Sequence, residues 1–202
     1  MAVANRLQTK LLAREYLASF AALMERVDLD ALERVVERLR VARDGGAMVY
    51  LAGNGGSAAT ATHWTNDLAK ATKRSGRSPM RVMCLSDNTS WLTALGNDEG
   101  YERVFAGQLE NFARAGDVLI VISASGNSPN LLEAVELAES RGLVTIGLLG
   151  FDGGALKDMV TERLWLETEI GEYGLVETGH VLLADIVTAC LIRDIAPPPP
   201  GG

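Results

Sequence analysis

The chain has 202 residues, of which 48% are hydrophobic, and its formal net charge at pH 7 is −7. This length suits one domain with a substantial core. The negative charge argues against a broad surface for nucleic acid or anionic membrane, because such polyanions are bound by neutralising their phosphates. A small phosphorylated ligand in a local pocket is still allowed.

Two amphipathic helices are predicted before the first strand. Residues 5–27 carry apolar side chains at helical spacing, and a second helix begins at Asp28 or Asp30 and ends at Gly45-Gly46. One sheet face does not need two helices, so they either pack on the sheet or form a helical bundle between subunits, and we favour the bundle. The predicted apolar face of the second helix comprises Leu32, Val35, Val36, Leu39 and Val41.

From Ala47 onward, strands and helices alternate. Strands such as residues 118–122 and 144–148 are apolar on both faces, as expected of a parallel sheet covered on both sides. The alternation predicts an α/β fold with an open, doubly wound parallel sheet of about five strands. The predicted strands are residues 47–52, 80–85, 116–122, 143–148 and 162–166. The predicted helices are residues 57–72, 88–96, 101–113, 129–141 and 173–194.

A single domain is predicted over residues 1–196. It comprises an N-terminal helical oligomerisation element, residues 1–45, and an α/β core, residues 47–194. Residues 72–79 are expected to form a basic surface loop, and residues 197–202 a flexible tail. In such sheets ligands gather at the carboxyl ends of the strands, so functional residues are expected there.

The turn after the first strand favours an anion, most often a phosphate. The run Gly53-Asn54-Gly55-Gly56-Ser57 opens a helix, so backbone N–H groups and the positive end of the helix dipole point at one spot. Ser57 can cap this helix and offer a hydroxyl. The spacing matches neither a Rossmann fingerprint nor a Walker loop, and the turn can also be only a tight connection. Further along, His63 and Asp67 project from one helix face.

A second candidate phosphate site follows the third strand. The run Ser123-Ala124-Ser125-Gly126-Asn127-Ser128-Pro129-Asn130 crowds three hydroxyls and a glycine into a strand end. Ser128-Pro129 opens a helix with a cap residue followed by proline. Hydroxyls and free N–H groups at a helix N-terminus suit a phosphate monoester. Two such turns on one sheet are stronger evidence than either turn alone.

These two turns, with His63 between them, resemble the sugar isomerase (SIS) domain family. Within it the chain looks like the phosphoheptose isomerases, which convert sedoheptulose 7-phosphate to D-glycero-D-manno-heptose 7-phosphate. Asn97-Asp98 and the run 150–154 also fit that pattern, and the resemblance extends from the N-terminal helices to about residue 194. It implies a flavodoxin-like fold and a homotetramer with central N-terminal helices and active sites between subunits.

The resemblance also implies which residues bind the substrate. Asn54 and Asp98 would contact the sugar, and the two turns would hold the phosphate. The residues implied for the phosphate are Gly55, Gly56, Ser57, Ser123, Ser125, Gly126, Asn127 and Ser128.

The resemblance to phosphoheptose isomerases implies a bound zinc ion. In the family a His and a Glu after the glycine turn bind it, together with a Gln or Glu and a His on the last helix. The corresponding residues here are His63, Asp67, Glu177 and Asp185, so Asp replaces both the family Glu and the last His. Those two family residues also form the acid/base pair, so Asp67 and Asp185 are candidate catalytic residues, and Glu177 is a third candidate as an alternative base. One nitrogen and three carboxylates suit zinc less than a His-rich set and favour harder ions such as manganese or iron. Without the resemblance, the sequence favours a different interpretation, in which His63 is a packed, hydrogen-bonded helix residue and Asp67 is a solvated helix charge.

The leading hypothesis is a sugar-phosphate aldose–ketose isomerase, nearest to sedoheptulose 7-phosphate isomerase. Its base, Asp67 or Glu177, would move a proton between C1 and C2 while the phosphate grip fixes the geometry. One alternative is a noncatalytic SIS module that binds phosphosugars or a protein, like the SIS tetramer that associates with the bacterial replication initiator. Another is an isomerase of a related phosphosugar.

Cysteine usage and targeting signals indicate the compartment. Cys84 and Cys190 match no metal or redox spacing, so we expect both to be buried thiols of a reducing compartment. No signal peptide is recognisable, and no apolar run reaches the about 18 residues of a membrane span. A cytoplasmic protein without membrane or nucleic-acid partners is predicted.

Overall fold

Within residues 2–73 and 78–193, the part of the chain that the computed structural model describes, helices and parallel strands alternate. The side chains of residues 2–7 lie outside this description, as does the predicted tail. The helices are α1 (Ala2–Met24), α2 (Leu29–Gly45), α3 (Gly56–Asn66), α4 (Thr89–Asp98), α5 (Ala106–Phe112), α6 (Pro129–Ser140), α7 (Leu156–Met159) and α8 (Tyr173–Arg193). The strands are β1 (Met48–Gly53), β2 (Arg81–Cys84), β3 (Val118–Ser123), β4 (Val144–Leu149) and β5 (Glu162–Trp165).

The five strands form one parallel sheet in the order β2-β1-β3-β4-β5. The chain leaves β1 toward β2 on one side and returns to β3 on the other side. The loops after β1 and β3 therefore diverge, which leaves a crevice at the carboxyl edge where such sheets bind ligands. The predicted open, doubly wound, flavodoxin-like sheet is confirmed.

Each face of the sheet is covered by helices, which explains why the strands are apolar on both faces. One core layer joins the sheet to the end of α1 and to α2, α3 and α8, and includes Trp64, Leu183 and Val187. The other layer joins it to α4, α5, α6 and α7, and includes Tyr50 and Leu131. Helices α3 and α8 lie on the same face, so residues from both can meet near the crevice.

The two N-terminal helices behave differently. Asp28 caps α2 by accepting a hydrogen bond from the Ala31 N–H at 2.9 Å, and α2 packs on the sheet layer through its predicted apolar face. Val41 is the exception, since it falls outside the helical stripe and is 63% exposed. Helix α1 instead leaves a row of apolar side chains open along most of its length. Those 46–67% exposed are Leu11, Leu12, Tyr16 and Leu17.

Several element boundaries differ from the prediction. The predicted helix 57–72 changes at Asp67 into a π-helical turn, Asp67–Ala71. The predicted helix 101–113 is split into a 3₁₀ turn, Tyr101–Arg103, and α5. The short α7 was not predicted, because four residues hold too little periodicity to show it. Cys84 is buried as expected, whereas Cys190 is half-buried, and both thiols are free.

Helix α8 is long and apolar enough to cross a membrane by length and composition, with a mean hydropathy of 1.7 over its most apolar window. The sequence prediction considered only uninterrupted apolar runs and therefore overlooked this helix. In the fold it is a core helix whose inner face packs on α3 and on the sheet layer. Its composition therefore reflects burial inside the domain.

His180 belongs to the buried face of α8. Its side chain is fully buried, and neither ring nitrogen has a hydrogen-bond partner among the described residues. Burial lowers the pKa of His180 to about 4, with a smaller opposing effect from the Leu149 backbone. The imidazole is therefore neutral in the folded protein near neutral pH.

This buried histidine predicts an acid-sensitive stability. Between pH 6.5 and about 4 the unfolded chain binds a proton at His180 that the folded chain excludes. The free energy of unfolding should therefore decrease as the pH falls, by about 3 kcal/mol at pH 4 from this residue alone. Urea unfolding at fixed protein concentration should show a shallower pH dependence for His180→Leu than for the wild type. An unchanged slope in His180→Leu would contradict the prediction.

Candidate active site

The turn between β1 and α3 forms one side of the crevice. Gly55, with φ +54°, is the residue that precedes α3, and no side chain caps the helix. Ser57 therefore lies inside the first turn of α3 and does not cap the helix, contrary to the sequence prediction, because the glycine conformation lets the helix begin earlier. The Ser57 hydroxyl has no hydrogen bond to another described residue and faces the crevice.

The serine-rich turn after β3 forms the opposite side. Ser123 Oγ accepts from the Gly126 N–H at 3.0 Å, and Ser125 Oγ accepts from the Asn127 N–H at 3.3 Å, so both hydroxyl protons stay available to a ligand. Ser128 precedes α6 as predicted, but its hydroxyl makes no capping bond. Gly126 has φ +66°, and a side chain there would overlap the Gly153 carbonyl oxygen, so only glycine fits.

The loop after β4 supports the serine turn from behind. The Leu156 N–H donates to the Gly126 carbonyl at 3.0 Å, and the Ala155 N–H donates to Asn127 Oδ1 at 2.9 Å. Phe151 has φ +46°, a strained conformation for a buried aromatic residue, and its ring packs edge-on against Tyr173. This contact holds the start of α8 against the same loop.

The two turns and the start of α8 enclose a cavity of about 170 Å³. Six of the predicted site residues line it, and Tyr173 adds an aromatic edge that sequence reasoning missed. The residues around the cavity are Asn54, Ser57, Ile122, Ser123, Ala124, Ser125, Ser128, Tyr173 and Glu177. Asp98 is not among them; it lies exposed at the end of α4, where it accepts from Asn97 Nδ2.

Asn54 is held by two residues that the sequence did not single out. Its side chain exchanges two hydrogen bonds of 2.9 Å with the buried Asn130, and Tyr101 Oη donates to Asn54 Oδ1 at 3.0 Å. One N–H of the Asn54 amide remains free for the cavity. Asn54 and Asn130 are 76 residues apart, so no local pattern could have indicated the pair.

His63, Asp67 and Asp185 come together beside this cavity. One ligand atom from each residue lies within 4.8 Å of the other two, and His63 Nε2 is 3.3 Å from Asp67 Oδ2. These three residues can come together only because α3 and α8 pack side by side in a fixed axial position. A buried hydrogen bond of 3.1 Å from Trp64 Nε1 to Thr188 Oγ1 joins the two helices. One imidazole and two carboxylates are donors that suit a divalent cation.

Glu177, the fourth predicted ligand, lies outside this group of three. It lines the phosphate-sized cavity and also a neighbouring groove of about 300 Å³ that it shares with Gly56 and His63. A side chain at Gly56 would lie 2.5 Å from Glu177 Oε1, so glycine is needed for the carboxylate to reach this position. Glu177 thus stands between the hydroxyl-lined cavity and the His63 cluster.

The comparison with known proteins agrees with this geometry. The SIS domain family model matches residues 15–150. A phosphoheptose isomerase from Geobacter metallireducens is 38% identical over 174 residues, which span 85% of this chain and 90% of that protein. The chain belongs to the phosphoheptose isomerases of the SIS domain family. Another family member, from Nitratiruptor sp., is 54% identical over 143 residues, which cover 71% of this chain and 75% of the relative.

Solved structures of the family have the same fold. Phosphoheptose isomerase GmhA from Neisseria gonorrhoeae superposes with a TM-score of 0.81 at 30% identity, covering 93% of this chain and 99% of that one. The enzyme from Francisella tularensis superposes with a TM-score of 0.82 at 25% identity, covering 96% and 100%. The superpositions therefore cover nearly the whole chain.

The Asn54–Asn130 pair predicts an energetic coupling. Asn54→Ala leaves the buried Asn130 amide unpaired, and Asn130→Ala leaves the Asn54 amide without that partner. Each single change therefore loses the same two hydrogen bonds. The double variant should therefore be about 1–2 kcal/mol more stable than the sum of the single changes predicts. Urea unfolding at fixed protein concentration measures this. Pairing Asn54→Ala with Asn111→Ala, on the far helix α5, should be additive; additivity of the Asn54 and Asn130 changes would contradict the pairing.

Proposed function

We propose that this protein is a sugar-phosphate aldose–ketose isomerase that converts sedoheptulose 7-phosphate to D-glycero-D-manno-heptose 7-phosphate. The observation that carries the proposal is the position of Glu177, which borders both the hydroxyl-lined cavity and the groove beside His63. A substrate anchored by its phosphate in the cavity would present its other end to this carboxylate. The phosphoheptose isomerase relatives support the same reaction.

The cavity would hold the phosphate. Ser57, Ser125 and Ser128 offer hydroxyl donors from both turns, and the N-terminus of α6 adds a favourable dipole for an anion. The free N–H of Asn54 would bind a sugar hydroxyl. A phosphate fixed in this way orients the remote carbon atoms for proton transfer.

Glu177 is the candidate base, in preference to Asp67. The carboxylate of Asp67 is already engaged by His63 at 3.3 Å and by Asn66 Nδ2 at 3.1 Å. Glu177 has no such partner among the described residues and faces the cavity. It would take the proton from one carbon of the substrate and return it to the neighbouring carbon.

A divalent cation would be held by His63, Asp67 and Asp185. When bound, it would supply positive charge that stabilises an enediolate. Since the three donors are one imidazole and two carboxylates, we propose a harder ion such as manganese or iron in place of the family zinc.

We further propose a cytoplasmic homo-oligomer, with a tetramer as the expected form. The open apolar row of α1, around Leu12 and Leu17, is the surface that a partner subunit would cover. Asp98 does not line the cavity of its own chain, so it would contact the sugar only if that sugar reaches beyond the cavity or the site is shared. The two free thiols suit a reducing compartment.

The phosphate assignment predicts a loss of binding on removal of two hydroxyls. Ser125→Ala together with Ser128→Ala should weaken binding of sedoheptulose 7-phosphate at least about tenfold, because hydrogen bonds to a charged group are lost. Calorimetry measures the affinity, and circular dichroism checks the fold. Ser140→Ala, at the other end of α6, is the matched control and should bind normally. Unchanged affinity in the double variant would refute the phosphate assignment.

The reaction is tested by metal analysis of the purified protein together with an isomerisation assay on sedoheptulose 7-phosphate. We expect bound divalent metal and turnover that a chelator abolishes, with Mn²⁺ or Fe²⁺ restoring it better than Zn²⁺. Glu177→Gln should retain metal and lose turnover by about 10²–10⁴-fold, since a proton-transfer group is removed. Asp67→Asn and Asp185→Asn should lose metal, whereas the exposed Asp158→Asn should change neither property.

Other outcomes of this experiment identify the alternatives. Tight phosphosugar binding without metal or turnover would make the protein a noncatalytic SIS binding module. Turnover of six-carbon ketose phosphates alone would make it an isomerase of a related phosphosugar. Asp67 would be the base if Glu177→Gln retains turnover and Asp67→Asn, after loading with metal, loses it.

A further inference from the structure

A cavity of about 600 Å³ lies at the end of the sheet opposite the candidate active site. Its floor is formed by the amino ends of β3 and β4 and the residues before β1, and one wall is formed by α2. Strand β1 has six residues, so its two ends are about 17 Å apart. The volume is within the range of small-molecule sites, and the distance makes this cavity separate from the phosphate cavity.

The carboxylates around this cavity are satisfied by the protein itself. Asp117 is buried and accepts from the backbone N–H groups of Met48 and Arg114. Glu162 accepts from Arg34 at 3.0 Å and from Arg38 at 3.1 Å. The third carboxylate, Glu37, pairs with Arg40. Each of these acids therefore already has hydrogen-bond or ion-pair partners among the described residues, and none of them forms an ion pair with Arg81 or Arg114.

Two other arginines of the cavity form no ion pair with an acid of residues 8–73 or 78–193. Arg81 makes one hydrogen bond of 3.0 Å, to the Gly46 carbonyl oxygen, and the Arg114 guanidinium makes none within the described chain. Burial and then the Asp117 carboxylate raise the pKa of Tyr50 to about 12, and the positive charges of Arg81 and Arg114 each lower it by less. On a chain of net charge −7, two guanidinium groups without an ion-pair partner at one cavity are a local feature and not part of a generally basic surface.

The remaining lining is apolar. The Val41 side chain, 63% exposed on an otherwise polar helix face, lines the cavity together with Ala115 and Val144. A ligand that fits both features carries a compact negative group and an apolar body. A phosphate monoester is the better match for two guanidinium groups, since it carries about two negative charges and accepts forked hydrogen bonds.

We propose that this cavity is a second binding site, for an organic phosphate with an apolar body, with Arg81 and Arg114 binding the phosphate. The body would lie against Val41 and Ala115. The site is independent of the isomerase function, because it shares no residue with the phosphate cavity.

Calorimetry of the full-length protein with adenosine 5′-monophosphate, adenosine and inorganic phosphate tests this site. We expect adenosine 5′-monophosphate to bind at one site per chain, and the two fragments to bind at least tenfold more weakly. Arg81→Gln combined with Arg114→Gln should weaken nucleotide binding at least tenfold, because both charges are lost while the side-chain bulk stays. The matched control is Arg163→Gln, on the exposed β5 edge, which should bind as the wild type does.

A second comparison separates this cavity from the candidate active site. Ser125→Ala with Ser128→Ala should leave nucleotide binding unchanged. Equal nucleotide affinity in the wild type and the double arginine variant would overturn the proposal, as would absence of binding at millimolar concentration. Binding of adenosine or phosphate as tightly as the nucleotide would refute the ligand class.

Discussion

The contact between α3 and α8 is the constraint on which the candidate site depends. Helix α3 carries His63 and continues into the π-helical turn that begins at Asp67, and α8 carries Glu177 and Asp185. The buried bond from Trp64 to Thr188 and the apolar layer around it hold the two helices at one axial height. A slip of one helical turn, about 5.4 Å, would separate the cation ligands from each other. The chemistry therefore rests on core packing several residues away from any reacting atom.

Asp67 illustrates how the backbone contributes to this arrangement. The α-helix changes into a π-helical turn at this residue, and such turns are frequent at functional sites. Aspartate is one methylene shorter than the glutamate that the family resemblance implies, yet its carboxylate lies 3.3 Å from His63. The altered residue and the altered turn occur at the same position. A cation site built on short carboxylates is consistent with a preference for harder ions.

The sheet has two functional ends in this view. Its carboxyl edge carries the hydroxyl-lined cavity, where α6 begins and the glycine turns admit an anion. Its amino edge carries the larger cavity, where guanidinium groups take the place of helix N-termini. The same strands connect the two ends, and under the two proposals each end would bind phosphate by a different physical means: hydroxyls and a helix dipole at one, two guanidinium groups at the other.

The sequence by itself determined the alternation of strands and helices, the two turns rich in glycine and serine, and the family, because periodicity, glycines and serines act locally. The spacing within one helix indicated His63 and Asp67, and the family resemblance indicated Asp185. Only the tertiary structure decided that Glu177 stands apart from these three, that Asn130 and Tyr101 hold Asn54, and that Asp98 lies outside the cavity. It also decided that Val41 faces a cavity and that His180 is buried. These features depend on contacts between residues far apart in the chain, and local patterns carry no information about which distant side chains meet.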